Sequence, residues 1–308
     1  MNKSFTLIEI LIVIAVVGAL STFVLVGTSS ITNKASNVKS ITFSDSLRNS
    51  LLTNLYSEWK FDEGSGSNSY DSWGDKNLVL GATTGSEDSD PTWMSQEECI
   101  SGTCLDFSKT IGEYAYGTSN LQLDLTNGLT IEAFFKPRTT TQNGSAIFMA
   151  GQESPNYIEF ALCFWSTGGF GFSLYDYDFG TYDYNSYNTS NLNLIGSWHH
   201  AVYTVNFSDR NIVGYLDSKI LNPTYYSTLG EISEFDYPFT IGSYIEKNAN
   251  FFDGKIDELK IYESVLSSYK IKENYFLGLN NLYKNKELSQ KEYNQKIVKL
   301  KTDIASVD

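Results

Sequence analysis

The sequence predicts a mainly β protein, with a sandwich or jelly-roll head on a long N-terminal α-helix and a short C-terminal helical hairpin. Three observations carry this. From Phe5 to Val26 the only strongly polar residue is Glu9. From Trp59 onward, short runs alternate apolar and polar residues, as in Thr130-Ile-Glu-Ala-Phe-Phe135 and Ala201-Val-Tyr-Thr-Val205, between clusters of Gly, Asn, Asp and Ser; many short strands at such spacing read as a β-sandwich or jelly roll. Beyond about residue 264 a helical period returns.

At 308 residues the chain has room for an anchor plus one large or two small domains. Its 21 Tyr and 19 Phe against 5 Pro are material for half-buried strands. With 22 Lys+Arg against 36 Asp+Glu and a net charge of -14, no basic stripe is available to release counterions from phosphates, which argues against nucleic acid as a partner.

Taken in order, the first element is the apolar run. About 22 helical residues at about 1.5 Å each span roughly 33 Å, close to a bilayer's hydrocarbon thickness. A signal peptide places its small-residue cleavage site after the apolar core. Here Lys3 and Ser4 precede it, so a cut after Ser4 leaves the helix on the mature chain. Glu9 is then an ionisable residue in lipid, which needs a partner. Ser4-Phe5-Thr6-Leu7-Ile8-Glu9 resembles the N-terminus of type IV pilins and pseudopilins, with Ser4 where the family usually has Gly and no Pro in the helix's second half. The resemblance implies a leader at residues 1–4, cleavage by a prepilin peptidase before Phe5, N-methylation of Phe5, and Glu9 meeting the N-terminus of a neighbouring pilin subunit during assembly. Residues 5–27 form the transmembrane and filament-core helix in this reading. Residues 28–56, with Ile31, Val38, Ile41, Leu47, Leu51, Leu52 and Leu55 at spacings near three and four, continue it as an amphipathic stalk.

Within the β region, Trp59-Lys-Phe-Asp-Glu-Gly-Ser-Gly66, Asp71, Cys104-Leu-Asp-Phe107, Leu129-Thr-Ile-Glu-Ala-Phe-Phe135, Gly196-Ser-Trp-His-His-Ala-Val202, Gly214-Tyr-Leu-Asp217, Thr240-Ile-Gly242 and Phe252-Asp-Gly-Lys-Ile-Asp-Glu-Leu-Lys-Ile-Tyr262 occur in that order. The set resembles the laminin G-like, concanavalin A-like jelly roll over residues 57–276, and implies two stacked antiparallel sheets of about a dozen strands. Ser218 departs from it, standing where the family usually has Gly. Residues 277–308 read as helical: Ser289-Gln-Lys-Glu292 is a capping box, and Tyr293, Ile297, Leu300 and Ile304 recur on one face. That amphipathic pair suits docking on its own domain or a partner.

Of the 3 Cys, Cys99 and Cys104 lie close together. In an exported domain the pair reads as a disulfide closing a tight turn rather than as a metal site or two free thiols, and Cys163 as a small buried residue. His199 and His200 are the only histidines; adjacent in a strand, they point to opposite faces and cannot act together. Neither Glu231-Ile-Ser-Glu-Phe-Asp236 nor Ile256-Asp-Glu258 reproduces the E-x-D-x-x-E dyad of jelly-roll glycosidases, so no enzymatic activity is expected. Asp62, Glu63 and Asp71 open the domain and Asp257 lies in its closing strand. The jelly-roll resemblance implies a structural Ca²⁺ held by acidic residues of the first and closing strands, with Gly64-Ser-Gly66 supplying carbonyls; the alternative is carboxylates that cap loop backbone without metal. Phe172–Tyr187 concentrates Tyr, Asp and Asn, and Tyr175, Tyr177, Tyr182 and Tyr184 offer flat rings to sugars, or ordinary exposed strand surface.

The expected protein is thus a pilin-like subunit of a type IV filament or a type II secretion-like system. It passes from the inner membrane to an extracellular filament and displays a head that binds surface carbohydrate. The alternatives are a purely structural subunit and a membrane-anchored glycan-active enzyme.

Overall fold

A computed structural model describes residues 54–140, 145–152, 158–164, 169–176, 181–188, 193–209, 211–221 and 234–305. The leader, the membrane helix and the stalk up to residue 53, with Ser4, Phe5 and Glu9, lie outside the described residues. Residues 54–308 form one compact unit, and among the described residues no helix is long and apolar enough to cross a membrane.

The strands are β1 (Leu55–Trp59), β2 (Asn68–Ser69), β3 (Leu78–Leu80), β4 (Thr92–Met94), β5 (Cys104–Phe107), β6 (Ala115–Gly117), β7 (Leu121–Asp124), β8 (Leu129–Pro137), β9 (Ser145–Gln152), β10 (Ile158–Phe164), β11 (Gly169–Asp176), β12 (Thr181–Asn188), β13 (His199–Asn206), β14 (Asn211–Leu216), β15 (Lys219–Ile220), β16 (Glu234–Tyr237), β17 (Phe239–Ile241) and β18 (Gly254–Tyr262). Helices α1 (Ser268–Lys284) and α2 (Gln290–Ala305) follow. The first sheet runs β15-β14-β13-β8-β18-β5-β4, with β1 also on β18; the second runs β12-β11-β10-β9-β17-β6-β3-β2; β7 and β16 pair separately. Every pairing is antiparallel, as the jelly-roll resemblance implies.

The core lies between the sheets because alternate residues of each strand are apolar. Phe135 and Tyr203 from the first sheet meet Phe164, Phe170 and Phe172 from the second, with ring centroids 5.2–6.1 Å apart. Trp59 is wholly buried against Phe239, and its Nε1 donates to the Lys76 carbonyl at 2.7 Å. The closing strand β18 is the pivot: its first half pairs with β5 and its second half with β1, both on the edge opposite β8. Between those halves its register with β8 shifts at Asp257–Lys260, and Glu258 takes a φ of 50°, the pattern of a β-bulge.

Two expected boundaries move. The stalk was expected to stay helical to residue 56, yet Leu55 and Tyr56 belong to β1, since Leu55, Ser57 and Trp59 alternate into the interior and pair with β18. The boundary at 276/277 falls inside α1, which starts at Ser268 with Ser267 Oγ accepting from the Lys270 amide. The helical hairpin itself is present. Its capping box forms: Ser289 Oγ accepts from the Glu292 amide at 3.3 Å, and Glu292 Oε2 accepts from the Ser289 amide at 3.0 Å.

The hairpin docks on its own domain, covering the outer face of the first sheet. β8 is therefore buried on both faces over most of its length. Phe134, Trp198, Cys99, Ile100 and Cys104 pack with Tyr275, Leu279, Leu282 and Leu300 in a second cluster. Asn285 Nδ2 donates to the Cys99 carbonyl at 3.1 Å, and Lys136 pairs with Glu287 at 2.7 Å.

Candidate functional site

The outer face of the second sheet brings together three of the four tyrosines singled out in the sequence. Tyr175 stands opposite Tyr182 and Ser173 opposite Tyr184 in the β11–β12 ladder. Period-two alternation puts all four residues on one face, the one away from Phe170 and Phe172. The register extends across the sheet as a row, Tyr184, Ser173, Ala161, Met149, Thr240 and Tyr116. Its middle is floored by small or flexible residues, with Ala146, Cys163 and Met149 buried and Tyr244 and Ile245 packed against them. Tyr116, at the far end, carries the Lys247 ammonium 4.5 Å from its ring centroid. Tyr177 lies outside the described residues. The sequence reading missed Tyr116, because its place in the row depends on β6 pairing with β17, more than a hundred residues away.

The four carboxylates expected to hold calcium are not brought into one cluster. Asp71 is nearly buried, and its two oxygens accept from four backbone amides: Glu58, Trp73 and Gly74 on Oδ1 at 2.9–3.0 Å, and Lys76 on Oδ2 at 3.1 Å. Asp257 fills the gap that the bulge leaves between β1 and β5. Its Oδ2 accepts from the Ile100 and Ser101 amides at 2.8 and 3.2 Å, and its Oδ1 from the Glu258 amide at 2.8 Å. Asp62 Oδ1 accepts from the Thr103 amide at 3.1 Å and sits where a Cβ on Gly102 would fall 1.6 Å away. Glu63 Oε1 accepts from the Tyr70 amide at 2.7 Å. Among the described residues, the cluster of potential ligand atoms close enough for an ion is Cys99, Cys104 and Asp257, and its two sulfurs are joined in the Cys99–Cys104 disulfide. Asp71 and Asp257 thus cap loop backbone, as the alternative reading expects. Burial, then the charges of Glu258 and Asp62, raises the Asp257 carboxyl well above its usual range.

The disulfide forms as expected, tying the loop that Asp257 caps to β5. The histidines separate as expected. His200 is stacked between Phe134 and Tyr275, at 4.4 and 6.0 Å between ring centroids, on the helix side of the sheet. His199 lies on the other face beside Phe135, with Nδ1 2.9 Å from Asp217 Oδ2.

A charged network beneath α1 was not legible as such. Glu132 is fully buried and accepts from Tyr262 Oη at 3.0 Å and from Asn274 Nδ2 at 2.9 and 3.0 Å; His200 Nε2 lies 3.4 Å away and Lys260 Nζ 4.0 Å. Burial alone would raise its carboxyl, but the His200 contact and the Lys260 charge override that and hold it at about 2. The signal available in the sequence was a Glu inside an otherwise apolar strand centre.

Two stacked antiparallel sheets around an aromatic core define a β-sandwich of the jelly-roll type. Residues 111–272, more than half of the chain, match the Laminin_G_3 family, described as the concanavalin A-like lectin/glucanases superfamily. The chain belongs to that superfamily. Among solved structures it is similar to the binding domain of Paraclostridial Mosquitocidal Protein 1 (15% identity, TM-score 0.53), covering 75% of this chain and 53% of that one. It is also similar to the receptor binding domain of botulinum neurotoxin mosaic serotype C/D (13%, 0.54; 73% and 51%). A further match is domain 4 of AbnA, an extracellular arabinanase from Geobacillus stearothermophilus, in complex with arabinotriose (16%, 0.49; 71% and 96%). The chain thus covers about half the length of the two toxin binding domains, and at such identities the likeness is one of fold. No curated protein matches the sequence.

Proposed function

We propose that this is a pilin-like or pseudopilin subunit whose sandwich is a non-catalytic, carbohydrate-binding head. In this reading a prepilin peptidase cuts between Ser4 and Phe5 and methylates Phe5. Glu9 then pairs with neighbouring subunits, and the chain leaves the inner membrane for an extracellular filament. The observation that carries the binding half is the β11–β12 register, which sets Tyr175, Tyr182 and Tyr184 on one sheet face. Stacked rings match the apolar C–H faces of sugars, and Tyr hydroxyls match their hydroxyl edges. Recognition is assigned to that face.

A glycan microarray probed with the full chain tests it. Saturable binding to a defined glycan is expected, with Tyr182→Ala and Tyr175→Ala each weakening it at least about tenfold, or about 1.4 kcal/mol. Binding untouched by both substitutions removes the tyrosine face from the proposal. An empty array with folded protein favours a purely structural subunit.

A further inference from the structure

We propose that the turn between α1 and α2 docks into the acidic groove of the β7–β16 ribbon on a second copy of the chain, so that copies join head to tail. The two surfaces belong to regions of opposite charge. Residues 268–308 hold 8 Lys and no Arg against 5 Asp+Glu, whereas residues 54–267 hold 10 Lys+Arg against 29 Asp+Glu. The hairpin segment is thus at +3 and the sandwich at -19. So acidic a sandwich is repelled by anionic membranes and by nucleic acid, and the partner that fits its basic turn is another sandwich.

The turn is a surface held ready. Its inward side is fixed, because Asn285 Nδ2 donates to the Cys99 carbonyl at 3.1 Å and Glu287 pairs with Lys136 at 2.7 Å. Lys284, Lys286 and Lys291 are exposed around it, beside the partly exposed Tyr283. Lys286 takes a φ of 67° just past the end of α1, where glycine is the usual and unstrained residue. A surface already ordered loses little freedom on binding.

The groove measures about 440 Å³. Leu123 and Phe235 are buried in its floor, Asp124, Glu234 and Asp236 stand exposed on its outward side, and no Lys or Arg is among its described lining residues. Asp124 lies directly opposite Glu234 in the ladder. Like charges so placed repel, and a lysine from a neighbouring copy relieves them. Within one copy the two surfaces stand apart. Glu263 Oε1 accepts from the Asp124 amide at 2.7 Å and Thr130 Oγ1 from the Leu266 amide at 3.0 Å, so the groove and the entry to α1 share one end of β8. The 17 residues of α1 span about 26 Å, and Lys136 seats the turn about 20 Å further along β8. Complementary surfaces at opposite ends make a heterologous contact, which repeats as an open chain unless its rotation closes a ring. The contact names a partner surface for the filament reading and rests on that reading for its setting.

Sedimentation velocity of the full chain, one copy per phosphatidylcholine nanodisc at about 0.15 M salt, tests it. Concentration-dependent growth beyond single discs is expected. Lys286→Glu with Lys291→Glu, and separately Glu234→Lys with Asp236→Lys, are each expected to weaken association at least about tenfold with the melting temperature unchanged, since all four positions are exposed. Mixing the two variants is expected to restore it, because every junction of an alternating chain again joins opposite charges. The proposal is overturned by discs that stay single at every concentration, by association that either variant leaves untouched, or by association that mixing fails to restore. Wild-type chain that binds phosphatidylglycerol vesicles through these lysines without self-association overturns it in favour of a membrane. N-terminal processing plays no part in the readout, so the contact and the filament reading fail separately.

Discussion

Glu113 and Glu132, both buried, pull stability in opposite directions with pH. Glu132 is held at about 2 in the folded protein, below its unfolded value. Its contribution is therefore complete above pH of about 4.5 and is lost as pH falls toward 2. Glu113 accepts from the Ser108 amide, but burial, followed by the charge of Asp106, pushes its carboxyl up to about 7. For a raised carboxyl the sign reverses: stability is greatest below about 4.5 and is lost as pH rises to 7. The contributions of these two groups are therefore jointly greatest near pH of about 4.5. Glu113→Gln keeps an acceptor for Ser108 and removes the charge, so it is expected to stabilise by about 1–3 kcal/mol at pH 8 and negligibly at pH 4.5. Melting curves across pH 3–8 check this; equal pH slopes in both proteins would contradict it. At the same scale, Asp71 and Asp257 spend their oxygens on backbone amides, so melting curves recorded with calcium and with chelator are expected to coincide. A calcium-dependent rise abolished by Asp257→Asn would restore the resident-ion expectation.

The elements were legible where a signal is local. The capping box at Ser289 and the strands around Phe135 and Tyr203 depend on residues a few positions apart, and they formed as read. The disulfide was legible for the same reason. Partner choice over distance was not legible: the backbone amides that Asp71 and Asp257 accept from carry no residue type that a sequence could flag. The bulge at Asp257–Glu258 was likewise invisible, since it arises from β1 and β5 sharing one edge of β18. The docking of α1 turns on Gly278, where a Cβ would come within 2.3 Å of Phe134 Cζ. Helix propensity says Gly278→Ala stabilises by about 1 kcal/mol, whereas overpacking against a buried ring destabilises by about 1–3 kcal/mol. Because Phe134 is clamped by His200 on its other side, net destabilisation is expected. Chemical denaturation decides the sign, and a stabilised Gly278→Ala would mean that α1 is less tightly seated than described.

For the whole molecule, the superfamily and its two antiparallel sheets were readable from an ordered set of motifs, because those motifs lie on the strands and turns that build the sandwich. The candidate site was half readable: the tyrosine-rich stretch could be seen, while the row ending at Tyr116 required the fold. The proposed role of the chain as a filament subunit rests on Ser4, Phe5 and Glu9, which precede the sandwich in the sequence. The most direct measurement is mass spectrometry of the mature N-terminus of the protein recovered from membranes and from sheared filaments. The expected result is a chain beginning at N-methylated Phe5, present in both fractions. A chain that keeps Met1, or one that begins beyond Val26, would contradict the assignment to the pilin class.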